Sequence, residues 1–187
     1  MISILIPSNN EENIVKMLME TELFFPQAQI IVSSDRKRRG KGWALRESLR
    51  EADGDFIVLI DGDLDIHPRM INRLLPFLSD YDVVVGKKEI KGLFSRRILT
   101  CLSRIYIRIF FGLNIDTQTG VKVFRRDAIF QWQTDSFAFD IEMLFLAKHA
   151  GKRIIEVPVE ANIKRKAKLS SVIKCFTESV KLLRLYT

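Results

Sequence analysis

Five consecutive apolar residues, Phe56-Ile57-Val58-Leu59-Ile60, run straight into three carboxylates, Asp61, Asp63 and Asp65, at alternating positions. An apolar run of this length predicts a strand buried on both faces, as in the middle of a parallel sheet. Side chains two apart in extended chain point the same way, so the three carboxylates are expected to converge. Anions held together repel unless a cation sits among them, and hard divalent cations prefer carboxylate oxygens. In open α/β sheets, ligands bind beyond the carboxyl ends of the strands, where these acids fall. Asp and Gly are also common in solvated turns, so an acidic loop and a metal site both stay open for the motif alone.

The rest of the chain repeats the alternation of strand and helix. Residues 2–6 predict a buried strand stopped by Pro7, and Ser8-Asn9-Asn10-Glu11-Glu12 carries the cap-then-acid signature of a helix start. A second strand, Gln29 to Ser33, precedes Asp35, and Gly40-Lys41-Gly42 leads into a second helix. Pro68 opens a third helix, and Asp82 to Gly86 forms a fourth strand. Later come a turn at 116–120, a strand from Val121, a helix opened by Phe137 and stopped by Gly151, and a strand from Arg153 to Val159. Pro158 argues that this last strand lies at an edge. A final helix runs from Ser170 to Tyr186, with Val172, Ile173, Phe176, Val180, Leu183 and Leu185 as its buried candidates. This pattern defines an α/β fold with a central, mostly parallel sheet, and 187 residues suffice for one domain.

Charge narrows the partners. The formal net charge is +7, with basic clusters at Arg36–Lys41, Lys87–Arg97, Arg104–Arg108 and Lys164–Lys168. Such clusters suit nucleic acid, an anionic membrane or phosphorylated small molecules, and basic charge alone does not explain three acids after a buried strand. The two cysteines, Cys101 and Cys175, match neither a metal spacing nor a disulfide framework and suit a reducing compartment. The N-terminus lacks the basic region of a signal peptide.

The stretch from Phe94 to Leu113 stands apart. Arg97, Thr100, Arg104 and Arg108 recur at helical steps and form one polar stripe beside Ile, Leu, Phe and Tyr. No run there reaches the roughly 20 apolar residues that span a bilayer. A helix lying in a membrane interface and a core helix with one basic edge both fit the pattern.

Six strings in register resemble the inverting family-2 glycosyltransferases of the GT-A fold, and within them the polyprenyl-phosphate sugar synthases. Ile4-Leu5-Ile6-Pro7-Ser8-Asn9-Asn10-Glu11-Glu12 is similar to that family's opening "VVIPAYNEE", Gly40 to Arg46 to "GKGAALR", and Asp61-Gly62-Asp63-Leu64 to "DADL". Asp116 to Phe124 is similar to "DTQCGFKLF", Phe137 to Glu142 to "WAFDVE", and Glu156-Val157-Pro158-Val159 to "EVPV". The resemblance implies a Rossmann-like GT-A domain over residues 1–187, with 93–113 as amphipathic membrane-interface helices and 170–187 as a C-terminal helix. It implies sugar transfer from a GDP- or UDP-linked donor to a polyprenyl (dolichyl) phosphate at the cytoplasmic membrane face, with peripheral attachment and no nucleic acid. A soluble saccharide, another lipid acceptor or a catalytically degenerate member are the alternatives.

Site roles follow from the same resemblance. Asp61, Asp63 and Asp65 would hold Mg²⁺ or Mn²⁺, although relatives tend to carry a residue such as Gln at the third position. Pro7, Glu11, Asp35 and Asp61 would line the nucleotide-sugar pocket, with Lys41 and Arg46 toward the diphosphate. Asp116 would join Asp61 and Asp63 at the reaction centre, or serve as an Asx-turn residue. Asp140 and Glu142 are either helix-start caps or catalytic acids. Arg96, Arg97 and Lys168 would dock the acceptor phosphate, which is mostly dianionic because its second pKa is about 6. The sequence departs from the family at Ser34, where relatives carry Asp, at the compressed Arg36-Lys37-Arg38-Arg39, at Ala161, and at Lys166-Ala167-Lys168-Leu169-Ser170.

Overall fold

Short apolar runs place the strands in the computed structural model, which describes residues 1–8, 13–34, 39–88, 94–136, 138–162 and 169–186, the side chains of 94–102 and 169–173 apart. The strands are β1 (Ile2–Ser8), β2 (Gln29–Ser34), β3 (Phe56–Ile60), β4 (Val83–Lys88), β5 (Val121–Arg125) and β6 (Ile154–Val159). The helices are α1 (Ile14–Phe24), α2 (Lys41–Glu51), α3 (Ile71–Leu74, flanked by 3₁₀ turns), α4 (Phe94–Phe111), α5 (Phe139–His149) and α6 (Leu169–Tyr186).

One six-stranded sheet has the order β2-β1-β3-β5-β4-β6. β1 pairs parallel with β2 and β3, and β4 pairs parallel with β6. β5 enters antiparallel between β3 and β4. The apolar run of β3 is therefore central, and its residues divide by parity. Ile57 and Leu59 join Leu5, Val83, Val85 and Phe124 in one core. Val58 and Ile60 join Ile4, Ile6, Val84 and Val123 in the other. A helix-covered sheet with both faces buried requires such runs.

Three local expectations change. β1 continues through Pro7 to Ser8, because its pairing with β3 ends at Leu5 and leaves one side free of a ladder that needs an N–H. In α6, Leu182 is buried, while Phe176 is 52% and Leu185 61% exposed, so the helix lays a narrower face on the core than its apolar content predicts. Beyond Ile60 the chain turns instead of staying extended, with consequences for the acids described below. Pro158 does fall in an edge strand, and Gly151 stops α5 with a φ of 74°.

Candidate active site

Asp61 is the first residue past β3, and its N–H donates to Gly120 O at 2.9 Å, fastening the strand end to the turn before β5. A Cβ on Gly120 would stand 2.7 Å from Asp61 Oδ2, so the close approach of turn and carboxylate requires glycine. Residues 61–66 form turns and bends. Asp63 Oδ1 accepts the Asp65 N–H at 3.0 Å, and Leu64 between them has a φ of 60°. That left-handed conformation costs a leucine about 1–2 kcal/mol, which packing of Leu64 against the second core offsets. The alternation that would aim three carboxylates at one point therefore ends at Ile60. Among the described residues no three acidic, His or Cys side chains gather as a metal cluster.

A different partner meets Asp61. Lys41 Nζ lies 2.5 Å from Asp61 Oδ1. Lys41 opens α2, whose N-terminus is held under the loop at 134–135, where Trp43 N–H donates to Asp135 O at 3.0 Å. Side chains at Gly40 or Gly42 would collide with that loop's carbonyls. Burial pushes the Asp61 carboxyl up, but Lys41, with Lys122 and Lys88, outweighs it and holds the group below the usual carboxylate range. Burial pulls the Lys41 ammonium down, yet Asp61, Asp140 and Asp63 together raise it above its ordinary value.

A second pair lies beneath the first. Lys122 on β5 faces Leu59 and Val85 in register, a core position. Its Nζ donates at 2.6 Å to Asp140 Oδ1 and at 2.6 Å to Thr119 O, and both charged residues are buried. Pro7, Lys41, Asp61, Thr119, Lys122 and Asp140 line one small cleft at the strand ends. The Thr119 hydroxyl is buried and has no hydrogen-bond partner among the described residues.

Glu156 on β6 organises the other side. Its Oε1 accepts Arg104 Nη2 of α4 at 2.6 Å and the backbone N–H of Asp116, while Lys87 Nζ stands 3.5 Å from Oε2. Asp116 Oδ1 accepts the Gln118 N–H at 3.2 Å, so Asp116 does serve as an Asx-turn residue. Lys88 Nζ reaches Gln118 O at 3.5 Å.

Other expected site residues have structural work. Arg46 donates to Trp132 O and Gln133 O at 3.1 and 3.2 Å and pairs with Asp135, pinning the loop before α5. Glu142 accepts the Gln133 and Thr134 N–H groups at 2.9 and 2.8 Å and the Tyr186 hydroxyl at 2.8 Å, so it neither caps its own helix nor faces the cleft. Asp140 is likewise no cap, since it is engaged by Lys122. Glu11, Asp35 and Lys168 lie outside the described residues, as do the side chains of Arg96 and Arg97. Lys122, Lys88 and Glu156 are the charged groups that sequence reasoning did not single out. A lysine between Val121 and Val123 was the available signal for the first, because a cation in a strand of apolar neighbours demands a buried acid.

A six-stranded, mostly parallel sheet in a mixed α/β domain is the fold of the GT-A glycosyltransferases. Residues 4–130 match the model of glycosyl transferase family 2, and the chain belongs to that family. It is 30% identical over 117 residues to the undecaprenyl-phosphate mannosyltransferase of Micrococcus luteus, covering 56% of this chain and 48% of that protein. It is 28% identical over 215 residues to glycosyltransferase AglD of Haloferax volcanii, covering 91% of this chain and 34% of that protein. The dolichyl-phosphate beta-glucosyltransferase of Dictyostelium discoideum is 26% identical over 174 residues, covering 83% of this chain and 53% of that protein. The chain thus spans between about a third and just over half the length of these relatives. The crystal structure of glucosyl-3-phosphoglycerate synthase from Mycobacterium tuberculosis with UDP has the same fold, with a TM-score of 0.72 at 19% identity over 97% of this chain and 78% of that one. The same enzyme has been crystallised with Mn²⁺ and UDP-glucose (TM-score 0.70, 18% identity, 96% of this chain and 76% of that one).

Proposed function

We propose that this domain transfers a sugar from a nucleoside-diphosphate donor to a polyprenyl phosphate at a membrane surface, assisted by a divalent cation. The single observation that carries the reading is the Lys41–Asp61 pair at the end of the central strand, an ionised carboxylate already holding a cation beside a helix N-terminus. Helix N-termini and lysines favour phosphate, and ionised carboxylates favour hard cations. The relatives named for polyprenyl-phosphate and dolichyl-phosphate transfer support the acceptor class.

The donor set fits such a cation. Neighbouring cations hold Asp61 below the usual carboxylate range, Asp63 lies two residues on, and the buried Thr119 hydroxyl in the same cleft has no hydrogen-bond partner among the described residues. Mg²⁺ characteristically takes one or two carboxylates and completes its shell with phosphate oxygens, so Asp61 and Asp63 suffice without Asp65. When bound, the cation would offset charge developing on the leaving diphosphate. Lys41 and the α2 N-terminus would face the same diphosphate. The anomeric carbon–oxygen bond to the donor phosphate breaks as an acceptor phosphate oxygen bonds that carbon, and the nucleoside diphosphate leaves. A dianionic phosphate needs no base to become a nucleophile, so the residues near Asp116 orient it. Lys87 and Arg104 both pair with Glu156, and Lys88 reaches Gln118 O in the turn after Asp116, a basic cluster suited to a phosphate monoester.

The membrane reading rests on α4 and α6. Arg104 of the polar stripe turns inward to Glu156, while Ile105, Ile109 and Phe110 are 48–68% exposed beside the exposed Phe176 of α6. Tyr106 joins the two helices, 4.9 Å from the Phe176 ring and with its hydroxyl 3.0 Å from Ser179 Oγ. No helix among the described residues is long and apolar enough to cross a membrane. An apolar face flanked by Arg108 and Lys174 suits the surface of an anionic bilayer. The protein is expected to co-sediment with phosphatidylglycerol-containing vesicles, more weakly as salt rises. Ile109→Ser with Phe110→Ser should reduce the bound fraction's partition constant about tenfold or more. Binding indifferent to both changes would remove the surface from the reading.

A soluble phosphorylated acceptor is the second reading, favoured by the structural likeness to a synthase crystallised with phosphoglyceric acid. Transfer of label from UDP- and GDP-sugars to farnesyl phosphate or to phosphoglycerate, with Mn²⁺ or Mg²⁺, separates the two. Label on farnesyl phosphate is the expected result. Label on phosphoglycerate alone moves the acceptor to the second reading, and label on neither overturns both.

A further inference from the structure

We infer that Lys41 is an exchangeable counter-cation on Asp61 that holds off a divalent metal until a nucleoside diphosphate draws it away; this rests on the donor-site reading above. Lys41 Nζ sits on Asp61 Oδ1 at 2.5 Å, on the same carboxylate a metal would use. A metal arriving alone must displace an ammonium from that oxygen and leave it among Asp61, Asp63 and Asp140 with no new anion to face. A diphosphate supplies that anion. It draws Lys41 off Asp61 and frees the carboxylate for the metal in the same exchange.

The local structure favours a swing of the side chain over a shift of the helix. Gly40 and Gly42 are jammed under the carbonyls of Asp135 and Thr134, and Trp43 N–H is bonded to Asp135 O, so the backbone that carries Lys41 is fixed. The four-carbon stem is not. Its ammonium stands 5.3 Å from the Phe139 ring centroid and a third of the side chain is exposed, so it can turn toward an anion at the α2 N-terminus without repacking the core. Lys122 cannot play this part, because Asp140 and Thr119 O hold it in the interior.

Two ligands that share one exchange must show reciprocal linkage. Mn²⁺ binding, followed by the electron paramagnetic resonance of free Mn²⁺, is measured for wild type, Lys41→Met and Lys41→Arg, each alone and with saturating UDP or GDP. In the wild type one of these nucleotides should tighten Mn²⁺ binding about tenfold or more, and Mn²⁺ should tighten that nucleotide equally. In Lys41→Met, Mn²⁺ alone should bind about tenfold more tightly than in the wild type, and the coupling should fall by a similar factor, the remainder coming from phosphate oxygens in the metal's own shell. Lys41→Arg keeps the cation and should behave as the wild type does. Metal-alone affinity unchanged in Lys41→Met, with nucleotide coupling intact, overturns the exchange while leaving the donor site standing. No Mn²⁺ binding by the wild type with either nucleotide overturns the donor-site reading and the exchange with it. Circular dichroism of the variants shows whether they are folded, and Lys41→Gln, which also removes the cation and should tighten Mn²⁺ binding alone as Lys41→Met does, keeps the test decisive if the methionine variant is not.

Discussion

Asp61→Asn is expected to lower sugar transfer about a thousandfold and leave the fold in place. The substitution keeps the backbone N–H that bonds Gly120 O and keeps the shape that lies against that glycine. It removes the negative charge. Lys41 then loses its partner, but with a third of its side chain exposed it can turn to water, so stability should change by about 1 kcal/mol or less. The loss is therefore catalytic, because a neutral amide neither holds a hard cation nor pairs with one. Initial rates at saturating donor, with thermal unfolding of the same preparation, check both halves. Transfer within tenfold of the wild type would exclude Asp61 from the chemistry. Asp65→Asn is expected to be mild by comparison, since the fold uses the Asp65 backbone, whose N–H goes to Asp63 and whose O accepts the Asn162 N–H at 2.7 Å.

The largest stability effect belongs to Lys122. Lys122→Met is expected to destabilise the protein by about 3–5 kcal/mol, because it leaves the Asp140 carboxylate buried without its cation. For a chain of this size that is a fall in Tm of roughly 10 °C. Among the described residues Asp140 has no alternative cation as near; Lys41 acts on it only at longer range. Replacing both partners, Lys122→Met with Asp140→Leu, should recover most of the loss, since two apolar side chains fill the site without an orphaned charge. The double variant should be folded and inactive, because Lys122 and Asp140 line the same cleft as Asp61. Melting temperatures of the single and double variants decide the matter. A single variant as stable as the wild type would show that the pair is not held as described.

Much of this was legible before any coordinates. The apolar run before Asp61 announced a central strand because only burial on both faces tolerates it, and the parity of its residues between two cores bears that out. Pro158 announced an edge because an edge spares the missing N–H, as the unladdered end of β1 does for Pro7. The acids were harder. Alternation in extended chain is a sound rule that stops applying where the strand stops, and a Gly at position 62 was the visible warning of a turn. Helical spacing put Arg104 in one stripe with Arg97, Thr100 and Arg108, but spacing defines which residues share a face and not which way that face points.

The sequence by itself determined the order of elements, the burial of the central strand and the family, since these rest on local pattern and on strings read in register. Tertiary structure alone decided the partners. That Lys41 meets Asp61 across 20 positions, Lys122 meets Asp140, and Glu156 gathers Lys87, Arg104 and the Asp116 N–H depends on strand order and on an antiparallel β5. Charge acts through space over a few ångströms, and no spacing along the chain encodes which residues the sheet will bring that close.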